Sequence, residues 1–120
     1  MSTLSVANIS DGADTVGTEY VVNGSAKAWV NFNGTGTIAA RNSLNVSSLT
    51  DNGTGWYTVN FSNAFAAADC AVTATSQQGN ISGPYDATAI LAGSVEILSW
   101  YASTYSDVVN MSAVFHGDLA

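Results

Sequence analysis

The sequence predicts an all-β protein: an antiparallel β-sandwich, with jelly-roll-like or meander connections and a short extended N-terminal arm. Several short segments alternate apolar and polar residues, which is the pattern of strands that bury one face. Asn33-Gly34 and Asn52-Gly53 lie beside two of these segments, and Asn-Gly is the strongest short-range signal for a hairpin turn. A parallel sheet would need crossover helices, and no segment has the length and periodicity of one.

The first 24 residues differ from the rest of the chain. Leu4, Val6 and Ile9 form a brief apolar alternation, and a segment rich in Gly and Asp follows them. This pattern predicts an extended attachment arm at residues 1–24. A length of 120 residues suits one domain, so residues 25–120 are predicted to form a single β-sandwich.

The period-two alternation also places the strands of the sandwich. In the first strand, Ala28, Val30 and Phe32 are predicted to face the core. The predicted core residues of the last strand are Val109, Met111, Ala113 and Phe115. The intervening strands are predicted at residues 38–49, 57–61, 70–75 and 95–101, and the last strand at 108–115. One turn of helix is predicted at residues 62–69, where alanine dominates, and loops are predicted at 77–84 and 102–107.

The charge of the chain excludes two classes of partner. Charged residues make up 9% of the sequence, against about 25% in an ordinary soluble domain. Lys27 and Arg41 are the only basic residues, and the formal net charge is -7. Binding to nucleic acid requires a basic surface that neutralises phosphates, so neither nucleic acid nor an anionic membrane is a predicted partner.

The N-terminus and the cysteine content predict a chain that is made and kept in cytoplasm-like conditions, or that leaves the cell by a route other than a signal peptide, such as lysis. The first residues contain neither the basic nor the apolar region of a signal peptide, and no apolar run approaches the roughly 18 residues that span a bilayer. Cys70 is the single cysteine, so no disulfide forms within the chain, and it is predicted to be a small buried hydrophobe.

A resemblance to a known family adds to these inferences. The segment GSAKAWVNFNGTGTIAARNSLNVSSLTDNGTGWYTVNFSNAFAAADCAVTATS, with SVEILSWY and VVNMSAVFHGD nearer the C-terminus, resembles a module of bacteriophage tail-fibre and appendage proteins common in phages of marine bacteria. The resemblance implies a virion structural protein, assembled in the host bacterial cytoplasm as a homotrimer and lying toward the host-facing end of a fibre. The arm would then attach it to other virion proteins, and the family provides no catalytic residues to carry over.

Four aromatic residues are the candidate ligand-binding residues: Tyr85, Trp100, Tyr101 and Tyr105. Exposed Tyr and Trp present rigid, amphipathic surfaces that suit stacking on sugars or anchoring a protein interface. Because neighbours on a strand face opposite ways, either Trp100 or Tyr101 is predicted to point into the core. Tyr105 has two open interpretations, a ligand contact or a contact between subunits.

The sequence predicts no catalytic or metal site and no cofactor. His116 is the single histidine, and a lone imidazole is more often a surface or interface residue than a base. Asp11 and Asp14 lack the spacing of a calcium loop. No spacing favours a glycosidase pair among the remaining candidate carboxylates, which are Asp51, Asp69, Asp86 and Glu96.

The leading functional hypothesis is a tail-fibre or tail-tip component. It would bind a host cell-surface glycan or protein through residues 76–86 and 102–107, with weak sites strengthened by display on a homo-oligomer. A small core and exposed strand edges favour self-association as well. The alternative is a capsid decoration or cement protein that stabilises the head lattice, and a glycan-degrading enzyme is the third hypothesis.

Overall fold

The computed structural model describes residues 1–77 and 79–120, and in this part of the chain the all-β prediction is confirmed. The N-terminal elements are β1 (Asn8–Ser10), β2 (Thr15–Gly17) and α1 (Thr18–Gly24). The strands that follow are β3 (Ala26–Asn33), β4 (Ala39–Leu44), β5 (Val46–Gly53), β6 (Trp56–Phe61), β7 (Ala71–Ser76), β8 (Ile81–Pro84), β9 (Ser94–Tyr101), β10 (Thr104–Tyr105) and β11 (Met111–His116).

Two antiparallel sheets form the sandwich. Sheet I has the strand order β4-β3-β11-β7. Sheet II has the order β10-β9-β6-β5. β8 pairs with the edge of β9 that is opposite to the edge paired with β6 and β10. β1 and β2 form a separate two-stranded hairpin in the arm. The chain order is neither a simple meander nor a helix-linked arrangement, because β3 and β11 are paired although they lie at opposite ends of the domain sequence.

The core lies between the sheets and consists of alternate residues from their central strands. The predicted core positions Ala28, Val30 and Phe32 of β3 are buried. Buried positions of the same kind are Tyr57, Val59 and Phe61 of β6, Val95 and Ile97 of β9, and Met111, Ala113 and Phe115 of β11. Phe32 packs edge-on against Tyr57, with 5.2 Å between ring centroids, so one aromatic pair joins the two sheets.

The predicted strand at residues 38–49 is wrong as a single element. The chain leaves sheet I at Leu44 and enters sheet II at Val46, and Asn45 between them has φ of 55°. Asn tolerates this left-handed conformation better than most residues. Its side chain holds the corner, because its Oδ1 accepts the Asn63 backbone N–H at 2.7 Å and its Nδ2 donates to the Asn63 carbonyl at 3.0 Å.

The hairpin between β5 and β6 forms as predicted, but its turn residues differ. Gly53 pairs with Trp56, which leaves Thr54 and Gly55 as the connecting residues, and Gly55 has φ of 61°. Asn52 lies in a register irregularity between Asp51 and Gly53. The Asn-Gly pair therefore forms a bulge, and the glycine of the turn comes two residues later.

Two further connections differ from the predictions. The alanine-rich segment at 62–69 contains no helix, because Phe65 is buried and its N–H donates to the Ala92 carbonyl at 2.8 Å. Burial of one phenylalanine thus outweighs a weak helix propensity. The predicted loop at 77–84 contains strand β8, in which Pro84 ends an edge strand, a position that tolerates the missing N–H.

The last strand begins later than predicted. Val109 is 51% exposed, whereas Val108 is buried, so the period-two pattern does not extend back through Asn110. β11 begins at Met111, and from there the predicted core face is confirmed.

The N-terminal arm is not extended throughout. Residues Thr18–Gly24 form α1, with Glu19 in its first turn, where a carboxylate is favoured by the helix dipole. Ser25 ends the helix by donating its hydroxyl to the Val21 carbonyl at 2.7 Å. The arm is a small hairpin followed by a short helix, and its apolar side chains are exposed.

Candidate functional site

The outer face of sheet II carries a group of aromatic side chains. In β6, burial of Tyr57 turns its neighbour Trp56 outward. In β9, burial of Ile97 and Ser99 turns Leu98 and Trp100 to the same outer face. The alternation that builds the core therefore also determines which side chains lie outside.

Strand register brings the aromatic side chains together. Trp56 lies opposite Leu98 on one side of β9. Tyr105 of β10 lies opposite Trp100. Tyr85 follows the end of β8 and donates its backbone N–H to the Glu96 carbonyl at 2.9 Å, which places it on the other side of β9.

The rings of Trp56, Tyr85, Trp100 and Tyr105 make direct contacts, and we refer to these four residues as the aromatic face. Trp56 and Tyr85 are stacked, with ring centroids 4.8 Å apart and planes inclined by 19°. Tyr85 and Tyr105 are 6.3 Å apart and nearly parallel. Trp100 meets Tyr105 edge-on at 4.8 Å. The contacts fix the ring orientations, so the four rings form a preorganised surface.

Polar contacts fix two members of the aromatic face further. The Trp56 indole N–H donates to Glu96 Oε2 at 2.8 Å, so this carboxylate lies beside the rings. The hydroxyl of Tyr105 lies close to that of Tyr85 and raises the pKa of Tyr85, which keeps the Tyr85 phenol neutral over a wider pH range.

A row of amides and hydroxyls borders the aromatic face on β5 and β6. Asn52 Nδ2 donates to the Thr58 hydroxyl at 2.7 Å. Asn60 Nδ2 donates to the hydroxyls of Ser48 and Thr50 at 3.2 and 3.1 Å. The row presents hydrogen-bonding groups without formal charge.

The turn between β9 and β10 is strained. Ala102 and Ser103 connect the two strands, with φ of 49° and 69°, although neither is glycine. This conformation costs an L-residue about 1 to 2 kcal/mol. The tight turn places Tyr105 directly opposite Trp100.

Of the four predicted site residues, the structure brings Tyr85, Trp100 and Tyr105 together and places Tyr101 elsewhere. Tyr101 points to the opposite side of β9 from Trp100 and is 54% exposed. It lines a cleft of about 270 Å³ with Gln77, Asn80 and Ser106.

The prediction that Trp100 or Tyr101 points into the core is wrong, because neither is a core residue. Ser99 is the last buried position of β9. It pairs with Ser82, whose hydroxyl lies 3.9 Å from the sulfur of Met111 at the start of β11. Sheet I ends at this level, so Tyr101 has no opposing sheet to cover it.

Asp107 ties the adjoining loop to the core. Its Oδ1 accepts the Gly55 N–H at 2.8 Å and lies 3.1 Å from the Tyr57 hydroxyl, which also contacts the Gly34 carbonyl at 3.0 Å. Burial, followed by the negative charge of Asp107, raises the pKa of Tyr57 well above its usual range. Gly34 is required here, since a Cβ would lie 2.4 Å from the Tyr57 hydroxyl oxygen.

Two of the other acidic residues serve local turns. Asp86 accepts both the N–H and the hydroxyl of Thr88 at 2.7 Å, and these bonds lower its pKa. Asp11 accepts the N–H groups of Ala13 and Asp14, and its pKa is lowered as well. Within residues 1–77 and 79–120, no three or more His, Cys, Asp and Glu side chains come together as a possible metal site.

His116 lies at the end of β11, half-buried, opposite Ala26 and Ala71.

In the described part of the chain, no helix has both the length and the hydropathy needed to span a bilayer. Comparisons with family models, with curated proteins and with solved structures gave no match.

Trp56 belongs to the aromatic face but was not among the candidate residues. The signal for it is present in the sequence, because Tyr57, Val59 and Phe61 assign the core face of β6 and thereby turn Trp56 outward. Its neighbours Tyr85 and Tyr105 come from distant segments, and only the pairing of β8 and β10 with β9 brings them to it.

Proposed function

We propose that this protein is a bacteriophage virion structural protein, a tail-fibre or tail-tip component that attaches the particle to the host surface by binding. The observation that carries the proposal is the aromatic face. Trp56, Tyr85, Trp100 and Tyr105 lie outside the core on a rigid sheet, and their mutual stacking fixes their orientation. Preorganised aromatic groups on a sheet support binding, since little conformational entropy is lost when a ligand docks.

The arm supports attachment to other virion proteins. A hairpin and a helix of this size bury too little surface to be stable in isolation, and a partner would supply the missing apolar contacts. Eight large apolar side chains of the arm are exposed: Met1, Leu4, Val6, Ile9, Val16, Tyr20, Val21 and Val22.

The edges of the sandwich support a homo-oligomer, proposed as a trimer. In the described residues, β4 pairs on one side with β3, and β5 on one side with β6. A cleft of about 280 Å³ lies along these edges, with Ile38, Val46 and Leu49 in its lining. Exposed strand edges favour association with a second copy.

Localisation on purified particles tests the proposal. Antibody labelling of intact virions, viewed by electron microscopy, is expected to mark the tail tip or fibres. Label spread over the head lattice would instead support a capsid decoration protein, and unlabelled particles would refute the virion assignment. Sedimentation at micromolar concentration is expected to give a trimer, and a monomer would contradict the oligomer.

Competition for adsorption tests the binding role. Purified wild-type protein is expected to inhibit adsorption of the particles to host cells, and Tyr105→Ala is expected to inhibit much less. Tyr101→Ala is the matched control, since Tyr101 is an exposed tyrosine outside the aromatic face. Equal inhibition by all three proteins would refute the assignment to this face.

A further inference from the structure

A glycine interrupts the outer face of β8 next to the aromatic face. Gly83 lies opposite Leu98, and Ile81 and Tyr85 are the residues two positions away on either side, which share its face. A Cβ placed on Gly83 would meet no atom within 4 Å, and its backbone does not have the positive φ that favours glycine. Neither crowding nor conformation explains the glycine.

Glycine inside a strand weakens it and often marks a place where a ligand approaches the backbone closely. Here the missing side chain leaves a notch above Gly83, which we call the Gly83 notch. Leu98 lies across from it, and Trp100 is the next outward residue along β9, opposite Ile81. Ile81 is 69% exposed, so the notch opens to solvent at that end.

The distribution of charge limits what can bind there. The two basic residues, Lys27 and Arg41, lie in β3 and β4 of sheet I, away from this face. Glu96 lies at the aromatic face through its bond to Trp56, and Asp86 follows Tyr85. With a net charge of -7, the protein repels phosphates, uronates and other anions from the notch.

We propose that the Gly83 notch is a subsite for a neutral hexose ring of a glycan. The apolar face of the sugar would pack on the ring of Trp100, with its edge over Gly83 and beside Tyr85. Aromatic rings with a few polar groups are the usual lining of such sites. The proposal rests on the proposed binding function, and it narrows the ligand to neutral saccharides.

Hydrogen-bonding groups for the sugar hydroxyls lie beside the notch. Glu96 uses one oxygen for the Trp56 indole, and a carboxylate has lone pairs for several further donors. Thr58, opposite Glu96, continues the row of hydroxyls and amides. A quaternary ammonium ligand fits less well, because three of the rings are nearly parallel and do not enclose a cation.

The test is NMR titration of the three tryptophan indole N–H signals in the full-length protein. The probes are dextran and mannan oligosaccharides, with oligoalginate as the acidic comparison and choline as the cationic one. A neutral oligosaccharide is expected to shift the signals of Trp100 and Trp56 and to leave that of Trp29, in sheet I, unchanged. Oligoalginate and choline are expected to shift none of them.

Gly83→Val tests the notch itself, since it fills the space while keeping every aromatic side chain. Val suits a strand, so the variant is expected to fold and to bind the oligosaccharide at least about tenfold more weakly. Gly93→Ala is the matched control, because a Cβ there also meets no atom within 4 Å, and it is expected to bind like wild type.

Failure of the subsite and failure of the proposed function are distinguishable. If wild-type protein inhibits particle adsorption but neither neutral probe shifts its indole signals, the saccharide subsite is refuted and the adhesion role stands. Binding of alginate or choline alone, or equal affinity of Gly83→Val and wild type, overturns the subsite as well. If the protein neither lies on particles nor competes for adsorption, the proposed function fails whatever the titration shows.

Discussion

Replacing Tyr57 with phenylalanine is expected to lower stability at neutral pH and to remove a loss of stability at alkaline pH. The Tyr57 hydroxyl is buried and has one proton, which it donates to the Gly34 carbonyl or to Asp107 Oδ1 at 3.0 and 3.1 Å. A hydrogen bond to a charged acceptor contributes about 1.5 to 3 kcal/mol. Asp107 is exposed and regains water in the variant, so we expect a cost near the low end, about 1.5 kcal/mol at pH 7.

The sign of the pH effect follows from the raised pKa of Tyr57 in the folded protein. The unfolded chain releases this proton near pH 10, whereas the folded chain retains it, so the stabilisation is complete below pH 10 and declines above it. For one proton the loss amounts to about 1.4 kcal/mol at pH 11. The wild-type advantage over Tyr57→Phe is therefore expected to vanish near pH 11.

Denaturation by urea, followed by tryptophan fluorescence at pH 7, 9, 10 and 11, measures both effects. The other tyrosines are common to both proteins, so the difference between the two free energies of unfolding isolates Tyr57. Tyr101→Phe is the control, and because Tyr101 is exposed it is expected to match wild type throughout. A wild-type advantage that stays constant from pH 7 to 11 would refute the reasoning.

Three further predictions concern the corner, the strained turn and the cysteine. Asn45→Ala is expected to lower the free energy of unfolding by about 2 kcal/mol, because Ala at positive φ loses both bonds to Asn63; an unchanged urea midpoint would contradict this. Ala102→Asn combined with Ser103→Gly is expected to raise the free energy of unfolding by about 1 to 2 kcal/mol, because Asn and Gly adopt positive φ more readily. The gain is measured as a higher melting temperature, and a lower melting temperature would show that the turn is not strained. Burial raises the pKa of the Cys70 thiol, so a disulfide reagent at pH 8 is expected to react slowly until urea unfolds the protein, and immediate stoichiometric reaction would show an accessible thiol.

The strands were predictable because alternation is a local property. Ala28, Val30 and Phe32 report a buried face directly, since every second residue meets the same environment. The change of sheet at Asn45 was not predictable in the same way. Leu44 and Val46 alternate with their neighbours as in one strand, but they belong to different sheets, and the interaction that turns the chain comes from Asn63.

Burial depends on the opposing sheet as well as on the direction of a side chain. Alternation correctly separates the directions of Trp100 and Tyr101. It cannot show that sheet I ends level with Ser99, which is why Tyr101 is exposed although it points to the core side. Position along a strand is therefore a second variable that a single sequence leaves open.

The aromatic face and the core depend on the same strand, β9, but on opposite sides of it. Val95 and Ile97 fill the core, while Trp100 and Leu98 face outward, so substitutions on the outer side can change the aromatic face without opening the sandwich. The strained turn after β9 fits this separation. The stability of the folded core offsets the conformational strain of the turn, and the turn holds the Tyr105 ring against the Trp100 ring, with 4.8 Å between their centroids. Both residues of a two-residue hairpin need this conformation, so the strain is the cost of holding Tyr105 opposite Trp100 on the face that we propose to bind a ligand.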